Sequence, residues 1–122
     1  MAELQLGAVE AKFADIVWSN APVSTTALVK LCEQALAWKR TTTYTVLKRL
    51  SEKGLFETEH GTVRAKISRE EFYARQSRQY VDTAFQGSLP AFLAAFTGGR
   101  RLTAAEAAEL KALIEQAGED AP

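Results

Sequence analysis

The sequence holds very little metal-binding or redox chemistry. Cys32 is its only cysteine and His60 its only histidine. A single cysteine excludes an internal disulfide. Together the two residues are too small a donor set for a conventional zinc site within one chain. No apolar run approaches the roughly 20 residues that a membrane helix needs, so membrane insertion is not expected. The opening Met-Ala-Glu-Leu-Gln-Leu lacks the basic and then apolar regions of a secretory leader, which points to the cytoplasm. There is no nucleophile–base pair, no metal-ligand set and no Gly-rich phosphate loop, so neither an enzyme nor a cofactor is expected. An excess of charge of one sign is missing too: 15 Lys and Arg balance 15 Asp and Glu.

That balance hides an uneven distribution. Residues 37–66 carry seven basic side chains (39, 40, 48, 49, 53, 64 and 66) against three Glu (52, 57 and 59). The segments on either side are each net acidic by two. Phosphate attraction acts within a Debye length of about 8–10 Å, so the local surplus matters more than the total of zero.

Apolar spacing predicts a first helix over residues 6–19, with Val9, Phe13, Ile16 and Val17 on one face. Ser-Asn-Ala-Pro ends it. A second helix starts near Ser24, whose hydroxyl suits an N-cap. Its core face is Ala27, Leu28, Leu31, Cys32 and Ala35. Ala37-Trp38 turns into a third helix, Lys39 to Lys53, with Thr43, Val46, Leu47 and Leu50 inward and Gly54 as the C-terminal stop. Two strands come next, about Leu55–Glu59 and Thr62–Ile67, joined at His60-Gly61, where Gly supplies a positive φ.

Ser68-Arg-Glu-Glu71 reads as a capping box with Ile67 and Phe72 as a hydrophobic staple. It opens a helix to about Phe85, which Gly87-Ser88 breaks. A short helix over Leu89–Phe96 ends at Gly98-Gly99. Thr103-Ala-Ala-Glu106 is a second capping box, and its helix runs to about Ala117. The expected fold is mainly α with a small β hairpin. Residues 1–67 would form a winged helix-turn-helix domain and residues 68–122 a helical dimerisation region. The last 55 residues are too few to bury a stable core unaided, and a second copy of the chain is the simplest partner.

Helix three then hairpin is the order in which a winged helix reads DNA. Lys39, Arg40, Lys48 and Arg49 are candidates for phosphate neutralisation. Thr41, Thr42 and Thr45 offer hydroxyls to phosphates or base edges. Thr is a poor residue for a helix interior, so four of them at a helix start call for a purpose beyond packing; Thr43 is the one assigned to packing. Tyr44 either touches the sugar-phosphate edge or packs under Trp38. Arg64 and Lys66 sit on the wing, where phosphate contact and a solvated face are both open. Trp38 and Cys32 read as packing residues and His60 as a turn residue. Candidates for the dimer interface are Tyr73, Tyr80, Phe85, Leu89, Phe92, Leu93, Phe96, Leu110, Leu113 and Ile114. The competing use of the tail aromatics is a ligand pocket.

Several of these residues form a familiar pattern. Trp38-x-x-x-Thr42-x-x-Thr45-x-Leu47-x-Arg49-Leu50-x-x-Lys53-Gly54 resembles the recognition-helix signature of the penicillinase repressor family. The tail, Phe85-x-Gly87-Ser88-Leu89 with Phe92, Phe96, Leu102-Thr103, Glu106, Leu110 and Leu113-Ile114, resembles that family's dimerisation region. Leu6 through Trp18 matches its first helix more loosely. The resemblance implies a winged-helix homodimer that represses transcription from a dyad-symmetric, double-stranded DNA operator. It also implies two routes of relief. One is metal binding by a C-terminal cysteine cluster, and nothing after Cys32 supplies one. The other is cleavage by a signal-transducing membrane protease at an Asn-Phe bond, where Ala95-Phe96 stands here. The alternative reading is a protein–protein interaction module on a winged-helix scaffold that no longer reads DNA.

Overall fold

The structure is a computed structural model and describes residues 6–118; the Met-Ala-Glu-Leu-Gln read for a leader lies outside it. The described chain runs α1 (Ala8–Asn20), β1 (Val23–Ser24), α2 (Thr25–Leu36), α3 (Arg40–Glu52), β2 (Phe56–Glu59), β3 (Thr62–Ala65), α4 (Arg69–Phe85), α5 (Leu89–Gly99) and α6 (Ala104–Ala117). Six helices and a small antiparallel sheet of order β1-β3-β2 give the mainly α, winged-helix fold. The chain divides into two compact units, Met1–Tyr80 and Val81–Pro122, so the first unit runs past Ile67 into α4.

In the first unit, the core gathers one face of each helix against the sheet. Phe13, Ala14 and Val17 of α1 are buried, as are Leu28 and Cys32 of α2. From α3 come Thr43, Val46, Leu47 and Leu50, the four expected inward residues. Leu55, Phe56, Val63 and Ile67 close the core from the hairpin side. Val9 corrects the expected face of α1, because it is 52% exposed. Four-residue steps advance about 400° around a helix, so a 9–13–17 row rolls by some 40° at each step. By the first turn it has left the core, and Leu6 and Glu10 are half-buried there instead. Ala35 is likewise exposed, and Leu36 is the half-buried residue at that end of α2.

The turns obey local chemistry. Ser24 Oγ accepts the Ala27 N–H at 3.0 Å, the N-cap expected for α2. At the end of α3, Leu55 N–H donates to Leu50 O and Gly54 N–H to Ser51 O, both at 3.0 Å. This is the paired pattern of a Schellman stop, and Gly54 takes the φ of 91° it requires. His60 and Gly61 both have positive φ, as a two-residue hairpin of type I′ demands. The strand β1 was not expected. Val23 pairs with Val63 and Ser24 with Thr62, and Thr25 N–H adds a bond to Gly61 O at 2.9 Å.

Trp18 ties α1 to the wing and to the start of α4. Its indole N–H donates to the Ile67 carbonyl at 3.0 Å. Its ring lies 5.6 Å from both Phe56 and Phe72 and 6.1 Å from Tyr73. The start of α4 keeps half of the expected box: Ser68 Oγ accepts the Glu71 N–H at 3.1 Å, while the Glu71 carboxylate lies 3.5 Å from Arg75.

In the second unit, α5 begins at Ser88, whose Oγ accepts the Ala91 N–H, and runs to Gly99 rather than stopping at Phe96. Thr103 and Glu106 form the complete reciprocal box at the head of α6, both bonds at 3.0 Å. Neither α5 nor α6 contains a fully buried residue.

Candidate nucleic-acid interface

With Thr43, Val46, Leu47 and Leu50 turned inward, the 3.6-residue period forces Thr41, Thr42, Thr45, Lys48 and Arg49 outward, and all five are exposed. Lys39, the N-cap of α3, and Arg40 are exposed at its head. The first turn of α3 has no acidic residue, so nothing there offsets the positive end of the helix dipole. Thr45 Oγ donates to the Thr41 carbonyl at 2.8 Å, which leaves its lone pairs for an outside donor. Trp38 stacks on Phe13 with ring centroids 5.6 Å apart, anchoring the start of α3 as a packing residue.

Tyr44 is half-buried, and Trp38 stacks instead on Phe13. The Arg40 guanidinium lies over its ring, 5.7 Å from the centroid. Hydrogen bonds from Thr25 and then Arg40 hold the phenol below its ordinary pKa. Thr25, at the first turn of α2, was not among the residues singled out in the sequence. Thr25, Tyr44, Leu47, Lys48, Ser51 and Thr58 line a groove of about 340 Å³ where α2, α3 and β2 converge.

Arg49 is exposed but engaged. Its Nη1 lies 3.1 Å from Glu10 Oε2 on α1. Glu10 Oε1 meanwhile accepts the Gly7 N–H at 3.2 Å. Partial burial pushes the Glu10 carboxyl up, but the Arg49 and Gly7 hydrogen bonds and the Lys53 and Arg49 charges outweigh it and hold the pKa down. Sequence reasoning missed Glu10; the pair is 39 residues apart, and no spacing rule connects the two.

On the wing, Arg64 and Lys66 are both exposed. Arg64 stands directly across from Glu57, so an anion accompanies that cation. His60 sits at the turn. Beneath α3, Cys32 is buried; burial pushes its thiol up, and the Thr43 hydroxyl beside it pulls the other way. That hydroxyl meets no nitrogen or oxygen partner among the described residues. The two groups pack α2 against α3 and face no solvent.

The expected dimer residues fall into two groups. Tyr73 and Tyr80 belong to the first unit, where they line a groove with Leu6, Gln76 and Ser77. Tyr73 also packs edge-on against Phe72 at 5.2 Å. Phe85, Phe92 and Phe96 form a ladder in the second unit, with centroids 5.7 and 6.3 Å apart. Phe92, Leu93, Phe96, Leu110 and Leu113 line an apolar groove of about 650 Å³ between α5 and α6. Leu89, Phe96, Leu113 and Ile114 are between 44% and 57% exposed, too much apolar surface for a unit with no buried residue of its own in α5 or α6. The Arg100 guanidinium lies over the Phe96 ring and 3.0 Å from Glu106.

Among the described residues no helix is long and apolar enough to cross a membrane, and no cluster of His, Cys, Asp or Glu could hold a metal. No curated protein matches the chain as a relative. The sequence profile of the family described as penicillinase repressor matches residues 6–116, nearly the whole chain and both compact units. An exposed hydroxyl-and-cation face on the third helix, the wing beside it, the apolar second unit and this match lead to one conclusion: the chain belongs to the penicillinase repressor family of transcription regulators.

Proposed function

We propose that this chain is a transcriptional repressor that acts in the cytoplasm as a homodimer on a dyad-symmetric DNA operator. Residues 1–67 supply the DNA contacts and residues 68–122 hold the dimer. The observation that carries the reading is α3, with an apolar face fixed in the core and an opposite face of Thr41, Thr42, Thr45 and Lys48 headed by Lys39 and Arg40. Such a helix enters the major groove by its N-terminal end. Lys39, Arg40 and Lys48 neutralise phosphates, Thr42 and Thr45 meet base edges, and Thr41 and Tyr44 lie against the sugar-phosphate edge. Arg64 and Lys66 add charge from the wing, reduced by Glu57 and Glu59. Dimerisation covers the face made by Phe85, Leu89, Phe92, Leu93, Phe96, Leu110, Leu113 and Ile114, and Tyr73 and Tyr80 are further contact residues. Relief by a membrane protease that cuts an Asn-Phe bond is not part of this reading, because Ala95-Phe96 occupies that place inside α5.

Titration of the protein onto duplex from its own upstream region and onto scrambled duplex, each at 50 and 200 mM salt, tests this. Tighter binding to the upstream duplex, with a steep salt dependence on both, is expected. Equal, salt-insensitive or absent binding would replace the repressor with a protein–protein module on the same scaffold.

A further inference from the structure

The contact between Glu10 and Arg49 lies at the root of the proposed DNA-contact face and has no part in the reading above. We propose that Glu10 is a positioning residue of that face: it ties the C-terminal half of α3 to α1 and withholds the Arg49 guanidinium from the phosphate backbone. This rests on the DNA-binding reading and refines it.

Three observations carry it. Glu10 is fixed at both oxygens, by Gly7 N–H and by Arg49 Nη1, so it is not a carboxylate swinging in solvent. Its side chain is only 19% exposed, whereas that of Arg49 is 52% exposed, so the anion is the rooted partner and the cation the accessible one. Finally, Arg49 lies one further turn along the same outward face as Thr42 and Thr45, where an unpaired guanidinium would reach toward DNA. A phosphate approaching α3 must therefore compete with a carboxylate already in place. A free cation there would raise affinity for any duplex alike, because phosphate contacts carry no sequence information. Holding it back lets the threonines weigh more in the choice of site.

The test is a cycle of Glu10→Gln, Arg49→Gln and the double variant, each titrated on scrambled duplex between 50 and 200 mM salt. Gln keeps an acceptor for the Gly7 N–H while losing the charge. With wild-type protein binding DNA, E10Q is expected to steepen the salt slope by about 0.9, one added phosphate contact. Its gain over wild type would then be about three- to fourfold larger at 50 than at 200 mM. In the E10Q background, R49Q removes that increment; with Glu10 present, R49Q moves the slope by less than half as much. A gain in E10Q that survives in the double variant is general charge repulsion and overturns the proposal. So does an R49Q effect equally large in both backgrounds. If E10Q fails to fold, R49Q alone against Lys48→Gln decides: equal loss of slope overturns the proposal, and a loss under half as large upholds it. A wild-type protein that binds no duplex ends the DNA-binding reading itself, a result distinct from all of these.

Discussion

Thr45 gives its hydroxyl proton to the Thr41 carbonyl, so its outward side presents an acceptor and a methyl group. In the proposed complex, a cytosine or adenine amino group would be its matching neighbour in the major groove. Thr45→Val, which keeps the shape and loses the acceptor, should weaken operator binding by about 1 kcal/mol, the usual net worth of one hydrogen bond, and leave scrambled duplex unaffected. Thr42→Ala should behave alike, whereas Lys48→Gln should weaken both and flatten the salt slope. A fluorescence titration on the two duplexes distinguishes these outcomes. Glu10 also has a pH signature. Its folded pKa is depressed, so its contribution to stability is present above the unfolded value, about 4.3, and is lost as pH falls through the lower folded value. The stability difference between wild type and E10Q should therefore shrink below about pH 4 in urea melts; a difference that widens there would contradict the assignment. Single residues were legible where a rule of local chemistry applied. Ser24 as a cap, Gly54 as a stop and Trp38 as packing could all be read from position alone. Glu10 and Thr25 were not legible, because their partners, Arg49 and Tyr44, are neighbours only after folding.

Elements with a strong period or a cap were readable, and those without were not. The helices and the hairpin came from apolar spacing, capping residues and a Gly turn. The strand β1 has two residues and no period to read, yet it adds a third strand through Val23 and Ser24. Ser24 serves two elements at once, pairing with Thr62 in the sheet and capping α2. Helix α5 outlasted its expected end because Gly98 and Gly99 remain helical, with the break deferred to Arg100. Helix α6 leans on its cap, since, as in α5, none of its residues is buried to compensate. Thr103→Ala should cost α6 about 1 kcal/mol of local stability. Hydrogen exchange at the amides of its first turn should report that loss, while exchange in α3 stays as in wild type.

For the molecule as a whole, the exposed apolar face of the second unit predicts association. Leu113→Glu places a charge on that face and should yield a particle near 13.4 kDa in sedimentation at micromolar concentration, half the expected wild-type mass. Operator affinity should fall with it, because two recognition helices meet successive major grooves about 34–36 Å apart only when the copies are joined. A wild-type monomer would remove the dimer from the proposal. The division of the chain has a practical corollary. Read from sequence, the DNA-contacting half ends at Ile67. Yet Phe72 is fully buried against Trp18, and the first compact unit continues to Tyr80. A truncation ending at residue 67 would strip Phe72 and Tyr73 from the Trp18 ring, whereas one ending at residue 80 keeps them in place. The longer fragment should melt in a single sharp transition and resist trypsin, while the shorter one should bind a hydrophobic dye and be digested. A fragment that folds alone would then carry part of a helix that the sequence reading placed in the other half.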